Sequence, residues 1–180
     1  APAEFMRLLV DDYGLEWDAA WKATVNTMSY TNHTIMSEAL EKWDAELFKK
    51  VLPRVYQIIL EIDNRFVAEL GKAGYDAHLV NNTRIVKDDQ IHMANLAIIG
   101  GHSVNGVAKL HTELLKEDTL RSFYKLYPEK FNNKTNGIVP RRWTQIAAPE
   151  LSSAIDQFIG DDWRSHIHSL GGLETYLDDQ

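Results

Sequence analysis

From Pro53 to Leu70 the sequence sets Val55, Ile58, Ile59, Ile62, Phe66 and Leu70 three or four residues apart. That spacing lines one face of an α-helix, and a stripe so apolar belongs in a core. Arg54, Gln57, Glu61 and Arg65 fall on the wetter side, Pro53 suits a first turn, and Gly71 and Gly74 end the run. A core to receive this face is within reach, because 180 residues with 44% hydrophobic and 25% charged content suit one or two globular domains.

Other segments extend the helical pattern. Pro2 to Val10 reads as an incoming helix with Phe5, Leu8 and Leu9 on one face, stopped by Gly14. Trp17 to Met28 repeats Trp17, Ala20, Trp21, Thr24 and Met28 at helical spacing, which is core patterning. Asp44 is placed to cap a further helix. Tyr75 to Asp89 mixes Asn, Asp and β-branched residues and reads as loop, with one short strand around Thr83 to Val86. The apolar run Ile91 to Ile99 leads into Gly100-Gly101-His102-Ser103-Val104-Asn105-Gly106, a glycine-interrupted bend before helical spacing resumes over Val107 to Leu115. Asn-rich Phe131 to Gly137 marks a domain boundary, and Pro140-Arg141-Arg142-Trp143 opens a last helical region through Leu151 to Ile159 and Trp163 to Tyr176.

Charge and composition exclude several functions. With 19 Lys plus Arg against 26 Asp plus Glu the net charge is -7, which argues against nucleic acid or an anionic membrane surface as partner. The absence of cysteine removes disulfides, zinc ribbons and thiol nucleophiles. Ala1-Pro2-Ala3-Glu4 lacks the basic-then-apolar pattern of a signal peptide, and no stretch approaches the roughly 18 apolar residues of a membrane span. A cytoplasmic location is the expectation.

Chemical motifs are equally sparse. His92, His102, His111 and Glu113 invite a metal site, but His111 and Glu113 fall on different faces of a helix, so no metal is expected. Ser103 lacks a nucleophile elbow, and Gly100-Gly101 falls short of a phosphate loop. Periodicity alone gives a mainly α chain with few short strands.

Four blocks, in order along the chain, carry more specific information. They are Tyr30-Thr31-Asn32-His33-Thr34 with Ser37 to Trp43; Leu52-Pro53-Arg54 with Gln57-Ile58-Ile59 and Asn64-Arg65-Phe66; Met93-Ala94-Asn95-Leu96 with His102 to Ala108; and Lys130 to Trp143. Together they resemble the α-glucan (glycogen, starch or maltodextrin) phosphorylases over essentially the whole chain. The resemblance implies a piece of a two-lobed α/β glycosyltransferase of GT-B-like architecture. Residues 1–136 correspond to the later part of the N-terminal lobe and 137–180 to the start of the C-terminal lobe.

Such enzymes use inorganic phosphate to release glucose 1-phosphate from an α-1,4-glucan with retention, assisted by pyridoxal 5'-phosphate, and are commonly homodimers. By resemblance His33 and Asn136 hydrogen-bond the 6-hydroxyl of the bound glucose, Val107 lines the sugar pocket, and Trp143 packs beside the cofactor. Without the resemblance, His33 and Asn136 read as turn residues and Val107 and Trp143 as core. Arg141 and Arg142 read as structural or interdomain. No segment matches the glycine-rich stretch whose lysine forms the Schiff base, so the catalytic set is incomplete here and the piece alone is expected to be inactive. Leu60 stands where animal members place an aromatic residue for glycogen storage, and that storage function is not carried over. The competing reading is a non-catalytic helical carbohydrate-binding or interaction module.

Overall fold

In the computed structural model, which describes residues 1–177, helices predominate and the strands are short. The chain begins with α1 (Pro2–Arg7), which widens into a π-helical turn over Leu8–Asp12 before Gly14, at φ +67°, reverses the backbone. Next come α2 (Trp17–Thr27), β1 (Ser29–Thr31), a 3-10 turn at Ser37–Ala39, β2 (Lys42–Asp44) and α3 (Ala45–Val51). The predicted amphipathic helix is α4 (Pro53–Lys72), followed by α5 (Ala77–Thr83), β3 (Val86–Lys87), β4 (Gln90–His92) and α6 (Met93–Ile99). After β5 (Ser103–Gly106) and α7 (Lys109–Leu114), a second π-helical turn at Leu115–Thr119 leads to α8 (Arg121–Leu126), and then β6 (Phe131–Asn133). The last helices are α9 (Pro140–Ala147) and α10 (Pro149–Ile159), followed by 3-10 turns at Asp162–Arg164 and Ile167–Tyr176.

Local chemistry explains many of these boundaries. Each of the five prolines opens a helical turn, where its missing N–H forfeits no bond and its fixed φ is already suitable. Asp44 accepts the Leu47 N–H at 2.7 Å and Asp76 accepts the Leu79 N–H at 2.9 Å, each satisfying an orphan donor at a helix start.

Contacts divide the chain into two units, Ala1–Thr135 and a second beginning at Asn136, one residue before the boundary drawn from sequence. In the first unit β1, β5 and β6 form a parallel sheet with β5 central, and β2, β4 and β3 form an antiparallel sheet with β4 central. The α4 stripe of Ile58, Ile59, Ile62, Phe66 and Leu70 is buried in one continuous core with Met6, Ile91, Val104 and Phe131. Each such side chain contributes about 1.5–3 kcal/mol by leaving water. No helix among the described residues is long and apolar enough to cross a membrane.

Three sequence expectations are corrected. Tyr75 to Asp89 contains α5, and its strand falls at Val86–Lys87 rather than Thr83 to Val86. The Asp76 cap starts that helix, and Thr83 ends it fully buried with its hydroxyl donating to Leu79 O at 2.8 Å. The glycine-rich bend at 100–106 contains the central strand β5, and Asn-rich 131–137 begins with β6. The segment from Trp163 to Tyr176 forms 3-10 turns rather than α-helix, with Trp163 buried and its indole N–H donating to Asp156 at 2.9 Å.

One polar residue sits inside the α4 stripe. Asp63 is 1% exposed, and its carboxylate accepts the Ile85 N–H and the Arg84 guanidinium, the latter at 2.9 Å. It thereby ties α4 to the chain entering β3. Removing a buried carboxylate leaves its partners unpaired, so Asp63→Ala is expected to lower stability by about 3 kcal/mol. A fall in the urea midpoint with an unchanged m-value checks this; an unchanged midpoint contradicts it.

Candidate functional site

The carboxyl ends of parallel strands are where open α/β sheets bind ligands, because the loops leaving them diverge. Here β1, β5 and β6 run in register, with Thr31 opposite Asn105 and Asn105 opposite Asn132. Their hydrogen bonding continues past the strand ends. Asn32 N–H donates to Asn105 O at 2.9 Å, and Lys134 N–H to Gly106 O at 3.1 Å. The Thr31 hydroxyl donates to Asn105 Oδ1 at 2.9 Å, while Asn105 Nδ2 donates to Gly106 O at 3.0 Å.

Gly106 is required by packing. A Cβ there would meet Thr112 Oγ1 at 2.5 Å and the Thr112 Cα at 3.0 Å, so α7 comes down on the strand end at backbone distance. Thr112, itself buried, donates its hydroxyl to Ala108 O at 2.9 Å and lies 3.0 Å from the Asn133 side-chain amide at the end of β6.

On the β1 side the buried Asn32 shapes the loop that carries His33. Its Nδ2 donates to Tyr30 Oη at 3.1 Å and its Oδ1 accepts the Thr34 N–H at 2.8 Å, a side-chain-closed turn. Burial raises the Tyr30 phenol's pKa above its usual value, and the hydrogen bond from Asn32 partly offsets this. His33 itself is exposed, at the rim of a hollow of about 360 Å³ also lined by Met28, Tyr30, Leu40, Glu41 and Met93. Its ring bonds no other described residue, which leaves both nitrogens open to a ligand.

The sheet therefore brings His33 and Val107 to neighbouring strand ends. Val107 is half-buried and donates its N–H to His111 Nδ1 at 3.1 Å. Asn136 opens the second unit and is exposed. Within that unit Trp143 lies on α9 with 61% of its surface open. Arg141 is occupied with structure, since its guanidinium donates to Arg164 O at 3.0 Å and Ser165 O at 2.6 Å.

Sequence reading did not single out Asn32, Asn105, Thr112 or His111 as builders of this edge. The cluster of amides at strand ends, Asn32, Asn105, Asn132 and Asn133, was the available signal. Gly106→Ala tests the close approach: it is expected to cost about 1–3 kcal/mol, as overpacking does. Adding Thr112→Ala should restore little, because the Thr112 Cα still obstructs the new methyl. Urea unfolding of the single and double variants measures both, and full rescue by the second substitution contradicts the backbone clash.

Comparison with known proteins bears on all of this. The model of the family described as carbohydrate phosphorylase matches residues 1–180. The chain is 50% identical to a glycogen phosphorylase of Bacillus subtilis, covering 99% of this chain and 23% of the relative. It is 46% identical to the H isozyme of alpha-glucan phosphorylase from Vicia faba and 45% to the muscle form of glycogen phosphorylase from Mus musculus, each alignment covering 98% of this chain and 22% of the relative. The chain thus spans less than a quarter of the length of these relatives. A family match along every residue, joined to identity near one half, makes this chain a member of the carbohydrate phosphorylase family.

Proposed function

We propose that the chain is a segment of an α-glucan phosphorylase, in which inorganic phosphate releases glucose 1-phosphate from glycogen, starch or maltodextrin with retention. On this reading, residues 1–136 belong to the later part of the N-terminal lobe of a GT-B-like enzyme and 137–180 begin the C-terminal lobe, and the whole protein is a cytoplasmic homodimer. The observation that carries the reading is the shared strand edge of His33 and Val107 in a chain that belongs to this family. Open apolar side chains in the second unit also support it, because Val139 at the N-cap of α9 and Trp143 and Ile146 on that helix are 50%, 61% and 70% exposed. Such a stripe suits a surface that further polypeptide covers.

The chemistry asks two things of the protein. The departing glucan oxygen needs a proton while positive charge grows on the glucosyl ring, and the ring must be held still as this happens. Pyridoxal phosphate supplies, when bound, a phosphate group that relays a proton, and Trp143 is the residue here that would lie beside it. This chain's own share is positioning. His33 offers a ring nitrogen, and Asn136 an amide, to the 6-hydroxyl of the glucosyl unit, while Val107 forms the wall against which the sugar rests. The Schiff-base lysine and the phosphate-gripping cations of the family have no counterpart in these residues.

The test is to incubate the longer polypeptide and this chain, separately, with α-1,4-glucan, orthophosphate and pyridoxal phosphate, and to quantify glucose 1-phosphate. Product is expected from the longer polypeptide alone. No product from either sinks the enzymatic reading and favours a non-catalytic carbohydrate-binding module. In the longer polypeptide, His33→Ala is expected to lower kcat/KM about tenfold, the loss of roughly one hydrogen bond to substrate. Unchanged kcat/KM removes His33 from the sugar site.

A further inference from the structure

One peptide group at the sheet edge is held from both sides. The C=O of Gly106 and the N–H of Val107 belong to the same peptide plane, and in a trans peptide they point in opposite directions. The carbonyl accepts Lys134 N–H at 3.1 Å and Asn105 Nδ2 at 3.0 Å. The N–H on the far side donates to His111 Nδ1 at 3.1 Å. Gly106 has no side chain to restrict its ψ, so the orientation of this plane depends on those bonds.

Of the three, the His111 bond alone acts on the Val107 side. Accepting there fixes the tautomer: Nδ1 is unprotonated, and the neutral ring carries its proton on Nε2. That Nε2 is buried without a partner among the described residues. The ring therefore leaves one of its own polar atoms unsatisfied while supplying the acceptor that Val107 needs.

The geometry points to His111 as a positioning residue for the sugar pocket, acting through the Gly106–Val107 peptide plane. The inference rests on the phosphorylase reading of Val107 as pocket wall. His111 touches no substrate; it holds the wall at the angle the glucosyl ring meets, and small displacements of such a wall carry large kinetic penalties. Freed of His111, the plane is pinned on its carbonyl side only and rotates about the Gly106 ψ and Val107 φ bonds.

Two substitutions in the longer polypeptide separate this role from simple packing. His111→Phe keeps a ring of similar shape and removes the acceptor, whereas His111→Asn places Oδ1 two bonds beyond Cβ, as Nδ1 is, and keeps it. His111→Phe is expected to lower kcat/KM for α-1,4-glucan about tenfold, chiefly through KM, and to speed amide hydrogen exchange in the peptide containing Val107. His111→Asn is expected to stay within about threefold of the unsubstituted protein and to keep slow exchange. His111→Leu serves as a second acceptor-free variant if the Phe protein does not fold. Equal losses in the Asn and acceptor-free variants, or wild-type kinetics in the latter, overturn the positioning role. An unsubstituted protein that makes no glucose 1-phosphate overturns the phosphorylase reading instead, and the exchange measurement then reports on the peptide clamp by itself.

Discussion

Three parallel strands of three or four residues make few ladder hydrogen bonds, and parallel pairing is the weaker kind per residue. The first unit depends on making that small sheet sufficient. Burial on the core side is one part, with Val104 and Phe131 inside the cluster organised by α4. Asparagine side chains are the other. Asn105 bonds Thr31 and the Gly106 carbonyl, and Asn132 donates to Ser103 Oγ at 2.8 Å. Asn32 closes the turn leaving β1. Each amide supplies both a donor and an acceptor where a short strand runs out of backbone partners, so the same residues that extend the sheet also shape the loops at its open edge.

That division explains what could be read from sequence. α4 was legible because its information is local: a stripe of period 3.6, a proline at its start and glycines at its end. The Asp44 cap was legible for the same reason. β5 and β6 were not, because Ser103-Val104-Asn105-Gly106 and Phe131-Asn132-Asn133 carry residues that strands disfavour, and their partners lie far away in sequence. Their strand character comes from pairing alone. α5 failed similarly, its Asn81-Asn82-Thr83 outweighed by the Asp76 cap and by burial of Leu79 and Thr83.

For the candidate site, His33, Val107, Asn136 and Trp143 came from resemblance, since no spacing rule joins them. Structure adds a spatial relation between two of them: His33 and Val107 follow paired strands at the same end. It also gives His111 a contact, as acceptor of the Val107 N–H. As a metal ligand it was excluded by its spacing from Glu113, and nothing in the sequence offered another role. The contact with Val107 needs the first turn of α7 to fold back onto the end of β5, which only the missing Cβ of Gly106 permits.

The character of the edge bears on what it suits. The side chains bonding across it, Thr31, Asn105, Thr112 and Asn133, are neutral and can both donate and accept. A neutral polyol presents hydroxyls that also do both, and such groups match them without the desolvation that a fixed charge demands. A phosphate calls instead for guanidinium or ammonium groups in a fork or cluster. The first unit's edge is therefore better matched to hydroxyl groups than to phosphate oxygens. Binding energy from a hydroxyl-matching wall of this kind accelerates a reaction only if the wall stays fixed while charge develops on the ring. On the proposed reading, the orientation of the Gly106–Val107 peptide plane then matters to catalysis as well as to fold.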